Sequence, residues 1–280
     1  MSLRSTLGSI TMRRSLLQRV AYGMSAMGAH IGMRVFMKRL VFDGVDRLVH
    51  TIETRRQPLV TIANHLSVFD EPLMWGAAMP LRLLMRPHLM RYSMAAEEIL
   101  FPNPLYAWYG HAAGAIPVMR GNGIDQRGVD VALNVLNEGG WIHIFSEGKI
   151  NQADTLLSPF RWGVGKLVAE CAQEPIVVPI FMRGLQFAFP EDGVSSRLPR
   201  LGHDFLLSVG EPLTGVADLR EQAHAASGRK PLSRLIDVNP ASWRSTPTGD
   251  AERAVYSIIT ARIESALLAV QKQTMERNAH

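Results

Sequence analysis

With 280 residues, 47% of them hydrophobic, the chain has material for one large domain or two small ones. Its single cysteine, Cys171, excludes an intrachain disulfide and any cysteine-rich metal site. No histidine–carboxylate group has zinc-like spacing, so neither a metal nor a cofactor is expected. The formal net charge of +5 is unevenly placed: residues 1–42 hold Arg4, Arg13, Arg14, Arg19, Arg34, Lys38 and Arg39 and no acid.

Those cations sit among Leu, Val, Met and Phe with no nucleic-acid-binding motif, which argues for an anionic membrane surface or a mitochondrial transit peptide and against nucleic acid. A helix is expected over about 10–40. Its uncharged part, residues 20–33, is too short to cross a bilayer, so the helix is expected to lie along the headgroups.

Leu59 to Ala63 is apolar and partly β-branched, and reads as a buried strand. It runs into Asn64-His65-Leu66-Ser67-Val68-Phe69-Asp70. A histidine at a strand end with a carboxylate five residues on can form a general base, because the carboxylate fixes one imidazole nitrogen and leaves the other to take a proton. With no evident serine nucleophile, the pattern suggests direct attack by a substrate hydroxyl. Ser67-Val68-Phe69-Asp70 also fits a capping box that opens a helix over about 69–79, with Pro72 tolerated in its first turn. The two readings are compatible, since a capped turn would hold Asp70 near His65. Ser67 as an acyl-carrying nucleophile is the weaker alternative to Ser67 as a cap.

Residues 99–119 carry no formal charge and are long enough to cross a membrane by count, but Pro102, Pro104, Gly110, Gly114 and Pro117 interrupt them. A short helix near 105–111, bearing Tyr106, Trp108 and Tyr109, is expected at the membrane interface, with ordinary core packing of the same residues as the alternative. A strand over 115–119 then delivers Arg120. A helix near 126–138, started at Asp125 and stopped by Gly139-Gly140, precedes a strand over 141–145. That strand holds His143, read as a hydrogen-bonded core histidine, and ends at Ser146-Glu147-Gly148-Lys149.

A helix near 160–173 containing Cys171, strands near 176–181 and 205–209, a loop-rich stretch over 227–250 and a helix over 251–275 complete the chain. The alternation argues for α/β architecture. Met74, Met79, Met85, Met90 and Met94 suit either an acyl-chain groove or an ordinary core.

Asn64-His65 with Asp70 resembles the H-x4-D box of the glycerolipid acyltransferase superfamily. Gly114 to Arg120, Phe145-Ser146-Glu147-Gly148 and Val177-Val178-Pro179-Ile180 resemble its other three boxes, in the same order. Ser146 stands where that family has proline. Asp70-Glu71-Pro72-Leu73-Met74-Trp75-Gly76, Gly148-Lys149-Ile150-Asn151 and the run from Phe160 to Cys171 resemble the tafazzin branch. The resemblance covers about residues 55–215.

It implies a single-domain acyltransferase fold with a mixed, mostly parallel central sheet flanked by helices, and with N-terminal and internal membrane-interface segments. The expected organisation is a basic amphipathic membrane-associated segment (1–45), an acyltransferase core (46–215) and a C-terminal extension (216–280). The expected activity moves an acyl chain between a phospholipid and a lysophospholipid, in cardiolipin-type remodelling at a mitochondrial membrane facing the intermembrane space. His65 and Asp70 are the catalytic pair. Asn64, Ser67, Arg120, Glu147, Gly148 and Lys149 are the expected substrate-binding set, with Arg120 and Lys149 on phosphate. An acyl-CoA-dependent acyltransferase, with Arg82, Arg86 and Arg91 gathered as a polyanion surface, is the alternative. A lipase and a non-catalytic membrane-remodelling protein stand behind both. Sequence leaves the oligomeric state open.

Overall fold

The computed structural model describes residues 15–156, 158–191, 199–227, 236–245 and 247–278. Arg4, Arg13, Arg14 and part of the loop-rich stretch lie outside them. The first helix, α1 (Leu16–Phe36), starts at a capping box in which Gln18 N–H donates to Ser15 Oγ and Ser15 N–H to Gln18 Oε1. The helix expected to reach residue 40 ends at Phe36. Strand β1 (Met37–Asp43) follows without a loop, because pairing with a distant strand overrides the helical pattern.

The chain continues through α2 (Val45–Thr54), β2 (Leu59–Ala63), α3 (Asp70–Ala78), α4 (Leu81–Leu84), β3 (Tyr92–Ala96), α5 (Glu97–Leu100), α6 (Pro104–Ala113) and β4 (Ala115–Val118). It then forms α7 (Arg127–Asn137), β5 (Trp141–Phe145), α8 (Gly163–Glu170), β6 (Ile176–Arg183), α9 (Leu185–Ala188), β7 (His203–Val209), α10 (Val216–Ser227) and α11 (Asp250–Arg277). The seven strands make one sheet in the order β1–β7–β6–β2–β5–β3–β4, parallel throughout except for β6 against β7. The mixed, mostly parallel α/β sheet is therefore as expected.

Strand alternation divides the core in two. Leu59 and Ala63 of β2 face a core shared with α1, α2 and α3, whereas Val60 and Ile62 face one shared with α7, α8 and α11. In α1, Tyr22, Ala26, Ala29 and Met33 form the buried stripe against α3. Gly76 permits that approach, since a Cβ there would sit 2.5 Å from the Cβ of Ala29. His30 Nδ1–H also donates to the Gly76 carbonyl at 2.9 Å. The opposite face of α1 exposes Leu16, Leu17, Val20, Met24, Ile31 and Val35.

Helix α6 is capped by Asn103, opened by Pro104 and stopped by Gly114 at φ +90°. It packs against α1 and exposes Leu105, Tyr106 and Trp108. Helix α11 is long and apolar enough by composition to cross a membrane, yet its stripe of Val255, Ile259, Ile263, Leu267 and Val270 is buried against α8 and the sheet. Packing uses that apolar face. Of the five methionines, Met74, Met79 and Met90 are core, and Met85 is exposed.

Candidate active site

In the β2–β5 register Ala63 pairs with Phe145, so the segments that follow both strands leave the sheet at the same edge. His65 emerges from one and Ser146-Glu147 from the other. Its ring stacks on Phe145 with centroids 4.2 Å apart. His65 Nδ1 lies 2.9 Å from Asp70 Oδ2, and the same oxygen accepts the N–H groups of Leu66 and Ser67. Asp70 is wholly buried at the start of α3, where the helix dipole favours a carboxylate. Burial pushes its carboxyl above the usual range, against the pull of His65 and the two N–H groups. With Nδ1 donating to Asp70, the neutral ring keeps Nε2 as its acceptor. The histidine side chain is 22% exposed and lies on the wall of a cavity of about 1610 Å³.

The backbone of His65 is clamped as firmly as its ring. Its N–H donates to Glu147 Oε1 at 2.9 Å, and its carbonyl accepts Asn151 N–H at 2.7 Å. Asn151 Nδ2 closes the loop on Glu147 Oε2 at 2.9 Å, and Gln152 Nε2 donates to the Leu66 carbonyl. Glu147 is buried, so its carboxylate braces the histidine. A turn closed by Gly148 N–H on the Phe145 carbonyl presents it, with Gly148 at φ +74°. Ser146, in the place of the family's proline, leaves that turn intact.

Asn64 is buried with both amide atoms on the backbone of Met182, which ties the end of β2 to β6. Ser67 is also buried, and its Oγ accepts Phe69 N–H at 3.2 Å. Of the expected capping box only the carboxylate half forms, with Ser67 N–H donating to Asp70 Oδ2. Asp70 N–H donates to the Ser67 carbonyl instead of its Oγ, and α3 starts after Phe69 with no side-chain cap. Arg120, Gly148 and Lys149 line the cavity with His65, and Arg161 joins them. Arg120 is paired through Nε with Glu98. Met94 is the one of the five methionines on this wall, so the expected methionine groove is not assembled.

A polar cluster lies in the same wall. Buried Arg91 donates from Nε to Glu71 Oε1 at 2.7 Å and pairs again through NH2 with Oε2, while Ser93 Oγ donates to Oε1. Arg82 instead pairs with Glu53, so the three arginines do not gather at the mouth. Sequence reasoning missed this cluster, Asn151 and Arg161, although Glu71 stands beside Asp70 and the other two lie in the runs that carry the resemblance. His143 is the expected core histidine: it is wholly buried, with Nδ1 2.9 Å from Thr61 Oγ1. Burial, with Arg91 and His65 nearby, holds its pKa well below the ordinary value. Burial also pushes the Cys171 thiol up to about 11, which leaves it unreactive.

Residues 46–183 match the acyltransferase family model. The chain is 39% identical over 184 residues to the taffazin of Dictyostelium discoideum, covering 63% of each protein. It is 33% identical over 230 residues to the N-acylphosphatidylethanolamine synthase of Arabidopsis thaliana, covering 79% of this chain and 81% of that protein. This chain belongs to the tafazzin-like acyltransferases. It spans under two thirds of the Dictyostelium relative's length. The 1-acyl-sn-glycerophosphate acyltransferase PlsC of Thermotoga maritima has the same fold, with a TM-score of 0.56 at 16% identity over 94% of this chain and 80% of that one.

Proposed function

We propose that this acyltransferase is a phospholipid–lysophospholipid transacylase that uses His65 and Asp70 as its catalytic pair. The observation that carries the reading is an oriented imidazole on the wall of a large, mostly apolar cavity that also presents Arg120 and Lys149. Nε2 of His65 takes the proton of the acceptor hydroxyl as that oxygen attacks the donor's ester carbonyl. When the tetrahedral adduct collapses, the C–O bond to the donor glycerol breaks and His65 returns the proton to the departing alkoxide. One residue serves both half-steps, and Asp70 stabilises the imidazolium between them. Arg120 and Lys149 hold lipid phosphate.

The exposed apolar faces of α1 and α6 suit peripheral or monotopic contact with an anionic membrane, and Tyr22, Ser25, Tyr106 and Tyr109 of the same helices line the cavity. A lipid can then reach His65 from the bilayer. Arg82 and Arg91 are each committed to a carboxylate, which disfavours an aqueous acyl-CoA surface. The setting proposed with this activity is cardiolipin-type remodelling at a mitochondrial membrane, on the side facing the intermembrane space; what supports it is the resemblance to tafazzins.

The Arabidopsis relative's name supports a second reading, in which an amine of phosphatidylethanolamine replaces the hydroxyl at the same base. Incubation of purified protein with labelled phosphatidylcholine vesicles and either lysophosphatidylcholine or phosphatidylethanolamine, with and without added CoA, separates these. Label moving to the lysolipid without CoA supports transacylation. Label moving only to the amine supports N-acylation. Label moving to the lysolipid only when CoA is added, with acyl-CoA formed as the carrier, supports the acyl-CoA-dependent alternative.

A further inference from the structure

We infer that Glu98 is a positioning residue that presents Arg120 to the phosphate of the bound lipid. The inference rests on the proposed phosphate role of Arg120. Arg120 lies two residues beyond β4, in a turn that includes Gly121 and Gly123 at φ +88° and +71°. Neither glycine has a neighbour within 4 Å of where its Cβ would stand, so packing there does little to fix the turn. Two side-chain contacts do so instead. Gln126 holds the backbone on one side, accepting Met119 N–H at 2.8 Å and donating to the Met119 and Gly123 carbonyls. Glu98 holds the Arg120 side chain itself.

The edge that Glu98 uses decides what remains. Glu98 Oε1 accepts Arg120 Nε–H, and this is the guanidinium contact described between the two. The terminal amino groups are left to form the forked, two-point contact that suits phosphate. Arg120 lines the cavity whereas Glu98 does not, so the carboxylate grips the guanidinium from behind. Both side chains are about half exposed, at 46% for Arg120 and 49% for Glu98. An ion pair so wet contributes little to stability and its charge is screened by salt. Its use lies in ordering a long side chain before the ligand arrives, which lowers the entropy lost on binding.

The test is equilibrium binding of lysophosphatidate, and of a monoacylglycerol with the same chain, followed by tryptophan fluorescence, since Trp75 and Trp162 line the cavity. Arg120→Gln is expected to weaken lysophosphatidate binding roughly tenfold or more. Glu98→Ala is expected to weaken it about two- to tenfold. Neither variant should alter monoacylglycerol binding or the melting temperature. In the Arg120→Gln background, Glu98→Ala should have no further effect, because Glu98 acts through Arg120. If Arg120→Gln leaves lysophosphatidate binding unchanged, the phosphate role of Arg120 fails. If Arg120→Gln weakens binding while Glu98→Ala leaves it unchanged or tightens it, the positioning role is overturned and Glu98 is neutral or a competitor for Arg120. Effects that multiply in the double variant, or that extend to monoacylglycerol, would overturn it in favour of a merely structural contact.

Discussion

Glu147 Oε1 accepts the backbone N–H of His65 at 2.9 Å, across a sequence separation of 82 residues. The acid of the turn after β5 therefore fixes the main chain of the residue proposed as the base, and Asn151 completes the clamp on the His65 carbonyl. Removing the carboxylate leaves a buried donor unpaired, at a cost of about 1–3 kcal/mol. Glu147→Ala is expected to lower stability by that amount, measured by denaturant unfolding, and to reduce acyl transfer more than lipid binding. Unchanged turnover in a folded Glu147→Ala protein would show that the clamp is dispensable.

The proton-transfer pair makes a sharper expectation. His65→Ala is expected to lose about 10²- to 10⁴-fold in transfer rate, the range of general acid–base catalysis. Its melting temperature should change little, because the ring lies at the cavity wall. Asp70→Asn should retain the fold while losing most activity, since Asn can still accept the N–H groups but does not stabilise an imidazolium. Circular dichroism separates this from a capping defect, which would melt α3.

Acid sensitivity follows from His143. Its native pKa lies well below the ordinary value of 6.5, so on acidification the unfolded chain binds a proton that the folded chain refuses. Stability is thus lost as pH falls below about 6.5. Asp70, with its pKa raised, works in the opposite sense: its contribution falls as pH rises from 3.8 through the native value. Replacing His143 with Gln is expected to flatten the fall in stability below pH 6.5, measured as the pH dependence of urea unfolding. An unchanged slope would assign the acid response to other groups.

The membrane face is testable without touching the cavity floor. Leu17→Glu and Val20→Glu place charge on the exposed side of α1, where the side chains contribute little to packing. Both variants are expected to keep the fold and to lose most binding to anionic vesicles in a flotation assay. Wild-type flotation by both would move the contact surface elsewhere.

The sequence made the centre of this fold readable and its margins less so. β2 and β5 are short, mainly apolar runs with β-branched residues, and the structure places both at their expected bounds. β1 directly continues α1, and β3 (Tyr-Ser-Met-Ala-Ala) meets β5 at only two residues, so neither carries a strong local signal. The His65–Asp70 contact was legible because five residues separate the pair. Its brace from Glu147 was not, because parallel strand register brings the two together from distant parts of the chain. Glu71 and Arg91 were hidden in the same way, across 20 residues and a turn.

The most direct test of the central claim uses vesicles of acyl-labelled phosphatidylcholine, unlabelled lysophosphatidylcholine and purified protein, with no CoA or acyl-CoA present. The expected result is time-dependent appearance of label in the former lysolipid, absent with His65→Ala. Transfer by the His65→Ala protein at the wild-type rate, or no transfer by wild type until acyl-CoA is supplied, would contradict it.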